Sequence, residues 1–216
     1  MRTLYTHFLL LTLCMVALQK SSWAQVGFKL SYASPLQEFG AEFKKAPVYD
    51  LYYFINYKKD KPRLAWARVG ILYASFKPRQ DTIPTYMIRG GSPDYLFPGY
   101  ISYRKFTMLA FYIDQTFRAV HYKGFSVDLG VGLMGGITHQ EYSYGYATII
   151  SSNNNSIDED FIGLRTRLGI AYTLTKRIEL FAEGMNSLIT SMDWSAQFHN
   201  NSLGIGCNIT FNPRTF

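Results

Sequence analysis

The stretch FSVDLGVGLMGGIT, residues 125 to 138, sets Phe125, Val127, Leu129, Val131, Leu133 and Ile137 on one parity and Ser126, Asp128, Gly130, Gly132, Gly136 and Thr138 on the other. Successive side chains of a strand point to opposite faces, so this alternation predicts a strand with all its bulk on one side. Interior glycine weakens a strand and gives nothing to pack, so three of them on one face imply a crowded space beneath it.

The same period of two recurs along the chain and predicts eight strands: 26 to 33, 48 to 57, 64 to 75, 106 to 118, 125 to 138, 161 to 174, 178 to 186 and 202 to 211. Connections alternate in length. Short ones fall at 58 to 63, 119 to 124 and 175 to 177, and long ones at 34 to 47, 76 to 105, 139 to 160 and 187 to 201. An antiparallel up-and-down barrel, with tight turns at one end and long loops at the other, produces this rhythm.

On the bulky parity not one charge stands in any of the eight strands. The opposite parity carries Lys29, Arg68, Arg118, Arg165 and Arg167 against Asp50, Asp114, Asp128, Glu179 and Glu183, five of each sign. A soluble barrel with these charges in water would need neither balance nor glycines between them. If the charges lie inside and the bulky face meets lipid, balance is required, because an unpaired buried charge is costly. An eight-stranded interior is only just wide enough to be filled by side chains, so glycines make room for Arg and Tyr. Arg165 and Arg167 face Glu179 and Glu183 across one short turn. With Tyr52, Phe54, Trp66, Tyr112, Phe161 and Phe181 sharing the cavity, the interior is expected to be closed. Aromatic residues cluster on the bulky face near both strand ends, as membrane girdles do. The fold class expected is all-β, an eight-stranded antiparallel up-and-down transmembrane β-barrel.

Residues 1 to 24 read as a signal peptide, with Arg2, an apolar run from Phe8 to Leu18 and a small-residue cleavage site before Gln25. That leaves 25 to 216 as the barrel domain, exported to the outer membrane of a Gram-negative bacterium. Without Arg2 and Lys20, 20 basic residues face 15 acidic ones, a net charge of +5. No basic run forms a nucleic-acid patch. Cys207 is the one cysteine left after cleavage, so no disulfide can form within the mature chain.

The stretches VDLGVGLMGGITH, LRTRLGIAYTLTKRIELFAEG and LGIGCNITF resemble the small outer-membrane β-barrels of the OmpA/OmpX type, and the porin-like barrels of the PorT secretion-associated group. The resemblance spans about residues 25 to 216 and specifies no activity. It implies outer-membrane lipid and lipopolysaccharide as surroundings, with envelope proteins as possible partners. It admits two alternatives to a structural or binding role, a subunit of an export machine and a lipid-modifying enzyme. Such barrels often end on an aromatic residue. Here Asn212-Pro213-Arg214 interrupts the alternation before Phe216, so Phe211 is the expected strand end.

Candidate chemistry is sparse. His139, Glu141 and Ser143 share a parity at the rim of the fifth strand, where ordinary polar residues are also expected. No other histidine stands in a Ser-His-acid pattern. The tract NNNSIDED, Asn153 to Asp160, is oxygen-rich but lacks the spacing of an EF-hand, and a solvated loop tip is the expectation. Tyr86, Tyr95, Phe97, Tyr100 and Tyr103, among prolines and glycines of the second long loop, form a candidate binding surface. No metal, cofactor or catalytic residue is expected, and function should lie in the outer loops.

Overall fold

A computed structural model describes residues 24–55, 66–80, 82–89, 95–146, 149–191 and 197–211; at 24, 38–39, 83–89, 95–98, 146 and 149–154 it describes the backbone alone. The expected signal segment lies outside the described residues apart from Ala24, where the first strand begins.

The strands are β1 (Ala24–Leu36), β2 (Ala46–Ile55), β3 (Trp66–Phe76), β4 (Ile83–Arg89), β5 (Tyr95–Tyr122), β6 (Phe125–Tyr146), β7 (Ile149–Thr173), β8 (Ile178–Ser191) and β9 (Gln197–Phe211), with one short helix, α1 (Gln37–Glu42), between β1 and β2. All neighbouring strands pair antiparallel, β9 returns to β1, and β3 pairs directly with β5. Those eight close a ring. β4 stands outside it, paired along the first residues of β5 from Ile83↔Ile101 to Arg89↔Tyr95.

Each of the eight expected strands corresponds to a strand of the ring, but the long connections differ from expectation. Segments 76 to 105 and 139 to 160, expected as loops, continue largely as sheet. β6 and β7 stay paired up to Tyr146↔Ile149, and β5 pairs with β6 from Gly99↔Tyr146 downward. Beyond the lipid-facing zone neither face of these arms needs bulk, so the apolar alternation that marks a strand stops while the backbone ladder continues. At the other end Lys123 and Gly124 both have positive φ, 44° and 88°, and close the Tyr122↔Phe125 pair as a two-residue turn. Such primed turns match the twist of the flanking strands, and β5 runs on to Tyr122 rather than stopping at 118 because a register shift between Arg118 and Val120 breaks the alternation without ending the ladder.

The burial pattern of β2, strictly alternating from Ala46 to Ile55, is typical of the ring. Large apolar side chains stand exposed on every strand of it, among them Leu51 at 54%, Ile113 at 51%, Leu164 at 54% and Leu203 at 71%. A water-soluble protein rarely exposes a contiguous apolar area of this size, whereas a bilayer requires it. Phe125 and Tyr172 touch at the short-turn end, ring centroids 4.6 Å apart, and Phe211 closes β9 there. Tyr32, Tyr49 and Tyr73 stand exposed toward the other end.

The glycine face of β6 turns inward. A Cβ on Gly130 would run into the Arg167 side chain, and one on Gly132 into Asp114 and the Ile113 backbone. Glycine is there because its neighbours' long side chains lie across it.

Two substitutions one residue apart should therefore fail in different ways. Val131→Arg, halfway along the exposed run of β6, is expected to cost about 2 to 4 kcal/mol in bilayers. Gly132→Leu is expected to cost about 1 to 3 kcal/mol by overpacking, in bilayers and in detergent alike. Reversible urea unfolding in vesicles measures both, and a harmless Val131→Arg would invert the faces.

Candidate functional site

Inside the ring, the buried Lys, Arg, Asp and Glu among the described residues are the ten charges on the inward parity, none more than 9% exposed. Seven meet in a central cluster. Lys29 of β1 lies 2.8 Å from Glu183 of β8 and 3.1 Å from Asp50 of β2. Arg68 of β3 donates to both Glu183 oxygens at 3.1 and 3.2 Å and to Asp114 at 3.3 Å. Arg167 of β7 donates to Glu183 at 2.8 Å and to the Thr116 hydroxyl. Arg165 sits 3.2 Å from Asp114 and stacks on Tyr112, whose hydroxyl donates to Asp50.

Three more charges form a second cluster toward the short-turn end. Arg118 grips Asp128 with two bonds, at 2.7 and 2.9 Å, and reaches Glu179 at 3.2 Å. Asn208 joins the clusters, donating to Glu179 at 2.9 Å and accepting from Tyr52 at 2.8 Å. Of the facing pairs read across the β7–β8 turn, Arg167 meets Glu183, but Arg165 turns to Asp114 and Glu179 to Arg118. Asp114, Gly132 and Arg165 stand side by side in one row, and Arg165 reaches Asp114 over the bare glycine of the intervening β6.

Toward the long-hairpin end the interior becomes mostly apolar, with Ser187, Ser191, Asn200 and Ser202 buried on the β8–β9 side. Phe43, Leu72, Phe76, Phe106, Phe161 and Ile189 are almost fully buried there, with Phe43 brought in by the segment after α1. Of this plug the sequence reading names Phe161 alone, although a further signal exists: in MLAFY of β5 both parities are apolar, so the contrast between faces vanishes. The best-formed voids left inside each admit about one water molecule.

At the rim, His139 lies on the outward face, its Nδ1 2.6 Å from Asp158 across the β6–β7 ladder and its Nε2 3.5 Å from Glu141. The hydrogen bond to Asp158 is the main cause holding the imidazole pKa above its ordinary 6.5. Ser143 is buried, and among the described residues no hydrogen bond joins it to His139. The expected trio is thus a His-acid set with Asp158, a residue 19 positions away that only the hairpin register brings close.

The Asn153 to Asp160 tract is a strand of β7, not a loop tip. Extended backbone sends Asp158 and Asp160 to the face opposite Glu159, so the carboxylates do not converge. No group of three His, Cys, Asp or Glu among the described residues is placed to hold a metal.

The aromatic surface is divided. Tyr86, Tyr95 and Phe97 lie on the β4–β5 hairpin, and their side chains lie outside the described residues. Tyr100 covers Gly145 of β6. Tyr103 is half-buried, 5.9 Å from the Phe43 ring, so it belongs to the plug rather than to an open surface. Burial raises its phenol pKa above the usual value.

Neisserial surface protein A superposes with a TM-score of 0.52 at 14% identity, over 88% of this chain and 98% of that one. The fold is that of a small outer-membrane β-barrel. A major outer-membrane protein of Thermus thermophilus gives a TM-score of 0.47 at 12% identity over 87% and 99% of the two chains. The Yersinia pestis attachment invasion locus protein, Ail, gives 0.41 at 13% over 88% and 99%. No protein-family model matches the chain, and no curated protein sequence does.

Glu183 is the anion shared by Lys29, Arg68 and Arg167. Glu183→Gln keeps the shape but leaves three cations short of a partner, and is expected to cost about 3 to 5 kcal/mol in denaturant unfolding.

A second expectation concerns pH. His139 should titrate above 6.5 by NMR, and Asp158→Asn should bring it back down. Because the folded value is the raised one, the link it adds between the β6 and β7 arms is fully present below pH 6.5 and is lost as pH rises through the folded value. Amide protection of the outer arms should fall over that same window.

Proposed function

We propose that the chain, exported by cleavage near Gln25, is an outer-membrane barrel of a Gram-negative bacterium with no catalytic role. It acts structurally or by binding through the hairpins at its long-hairpin end, which face outward from the cell. Lipid and lipopolysaccharide surround it, and an envelope protein is the partner class its outer arms suit. The observation that carries this reading is the filled interior: a balanced charge network below and an aromatic plug above occupy the cavity that conduction or an internal active site would need. What stands outside the ring is the sheet of β4 with the outer arms of β5, β6 and β7.

Because β4 lies outside the ring, the hairpin can be tested apart from the barrel. A variant lacking residues 80 to 100 should still fold, shifting on gels between unboiled and boiled samples, yet lose partner binding. Retention of every partner and phenotype by that folded variant would defeat the hairpin role. Separately, the purified protein should show no steady open conductance in planar bilayers, and a stable open channel would defeat the closed barrel.

A further inference from the structure

Five exposed cations gather at the long-hairpin end of three adjacent strands: Lys44 and Lys45 before β2, Lys77 after β3, and Arg104 and Lys105 in β5. The backbone register places them side by side. Lys44 N–H donates to Lys77 O at 2.8 Å, and Lys77 is the next position beyond the Phe76↔Phe106 pair, opposite Lys105. In β5 the ladder shifts between Tyr103 and Lys105, which leaves Arg104 without an opposite residue on β6. The bulge turns two consecutive cations outward where regular alternation would bury one. Arg79 fastens the segment from the other side, donating to the Gly40 and Phe43 carbonyls at 2.6 and 3.1 Å.

Ten charges inside the barrel are all engaged with opposite charges, whereas among the described residues none of these five cations makes an ion pair. Glu141, opposite Lys105 on β6, is turned to His139. The height of the patch matters as much as its sign. Two rows of outward side chains below it runs Tyr49–Tyr73–Leu109, the exposed upper border of the apolar belt on these strands. Four residues of tilted strand separate the rows, roughly 10 Å along the barrel axis, and a lysine stem reaches back part of that distance. The cations therefore lie at headgroup level, just beyond the hydrocarbon.

We propose that Lys45, Lys77 and Lys105, flanked by Lys44 and Arg104, form a binding site for a phosphorylated lipid headgroup in the leaflet at the long-hairpin end. Neighbouring strands are about 4.8 Å apart, so three ammonium groups on adjacent strands converge on one phosphomonoester with its oxygens shared among them. The lipid's chains then lie on the apolar outer faces of β2, β3 and β5. The site rests on the outer-membrane reading above and names a ligand class and a position for it.

The test uses the mature chain in phosphatidylcholine vesicles containing a trace of spin-labelled phosphatidic acid or spin-labelled phosphatidylcholine. The wild type should hold phosphatidic acid at least about fivefold more strongly, the effect of one fully engaged lysine. Lys45→Gln/Lys77→Gln/Lys105→Gln should abolish the preference, Lys105→Gln alone should reduce it, and Lys123→Gln/Arg177→Gln at the opposite rim should leave it intact. Equal selectivity in the triple variant overturns the proposal. So does loss of selectivity to millimolar inorganic phosphate but not to sodium chloride of equal ionic strength, which would make the site one for free phosphate. A wild type that folds into vesicles, by its gel shift, yet shows no preference defeats this site alone. A chain that does not insert at all defeats the outer-membrane reading and this site with it.

Discussion

Charge placed inside a narrow barrel must be neutralised there, and most of the structure follows from that requirement. Each ion removed from water costs several kcal/mol unless opposite charges and hydrogen bonds replace its hydration. Five cations and five anions on seven strands meet the requirement collectively, with Glu183 answering three cations and Asp114 three. Some partners stand on adjacent strands, as Lys29 with Asp50 and Arg118 with Asp128, and others across the ring, as Arg68 of β3 with Glu183 of β8, so the network ties the ring across its diameter as well as around its circumference. Gly130 and Gly132 of β6 follow from it, since Arg167 and Asp114 lie against their bare backbone, while Gly27, Gly70 and Gly206 make room for the rings of Tyr52, Tyr112 and Phe181.

The apolar plug solves the same problem differently at the other end. Above the network the inward positions of β2, β3 and β5 are Ala, Val, Leu, Met and Phe, which need no partner and shield the charges below, while β8 and β9 add the buried Ser187, Ser191, Asn200 and Ser202. A dry lid strengthens every ion pair beneath it, because the local dielectric falls. The helix α1 and the bridge from Phe43 to Pro78 serve this end, carrying an aromatic ring into the mouth where the strands alone would leave a gap.

The alternation of residues made the ring legible from sequence wherever lipid lay on one side and packed polar groups on the other. Residues 125 to 138 are the clearest case. Legibility failed in two physical situations. In the plug both faces are apolar, so parity carried no information about what Leu72 or Met108 touch. In the outer arms both faces are largely polar, so no alternation marks the strands that run to Tyr146 and back from Ile149, while β4, with Pro84 inside it and Gly90, Gly91 and Pro93 after it, has the composition of a loop. Site residues followed the same division. The ten charges can be assigned to one face, but their partners cannot, since Arg165 reaches past β6 to Asp114 of β5 and Arg68 crosses the ring to Glu183. His139 was visible as a rim residue, while its partner Asp158 depended on a register that no local pattern specifies.

Strands that leave the ring acquire free edges, and the composition of the outer arms answers that hazard. Among the described residues β7 pairs with β8 only from Phe161↔Ser191 onward, so the arm below residue 161 keeps β6 as its one neighbour. An unpaired edge of that length invites pairing with other chains unless charge or proline blocks it. Asp158, Glu159 and Asp160 stand on that edge, and Pro84, which has no N–H to offer, stands on β4 at the far side of the same sheet. The acidic tract thereby has a structural purpose that needs no bound ion: it keeps one edge soluble. The cations at the long-hairpin ends of β2, β3 and β5 are not explained this way, because they stand just beyond the apolar belt rather than on an open edge.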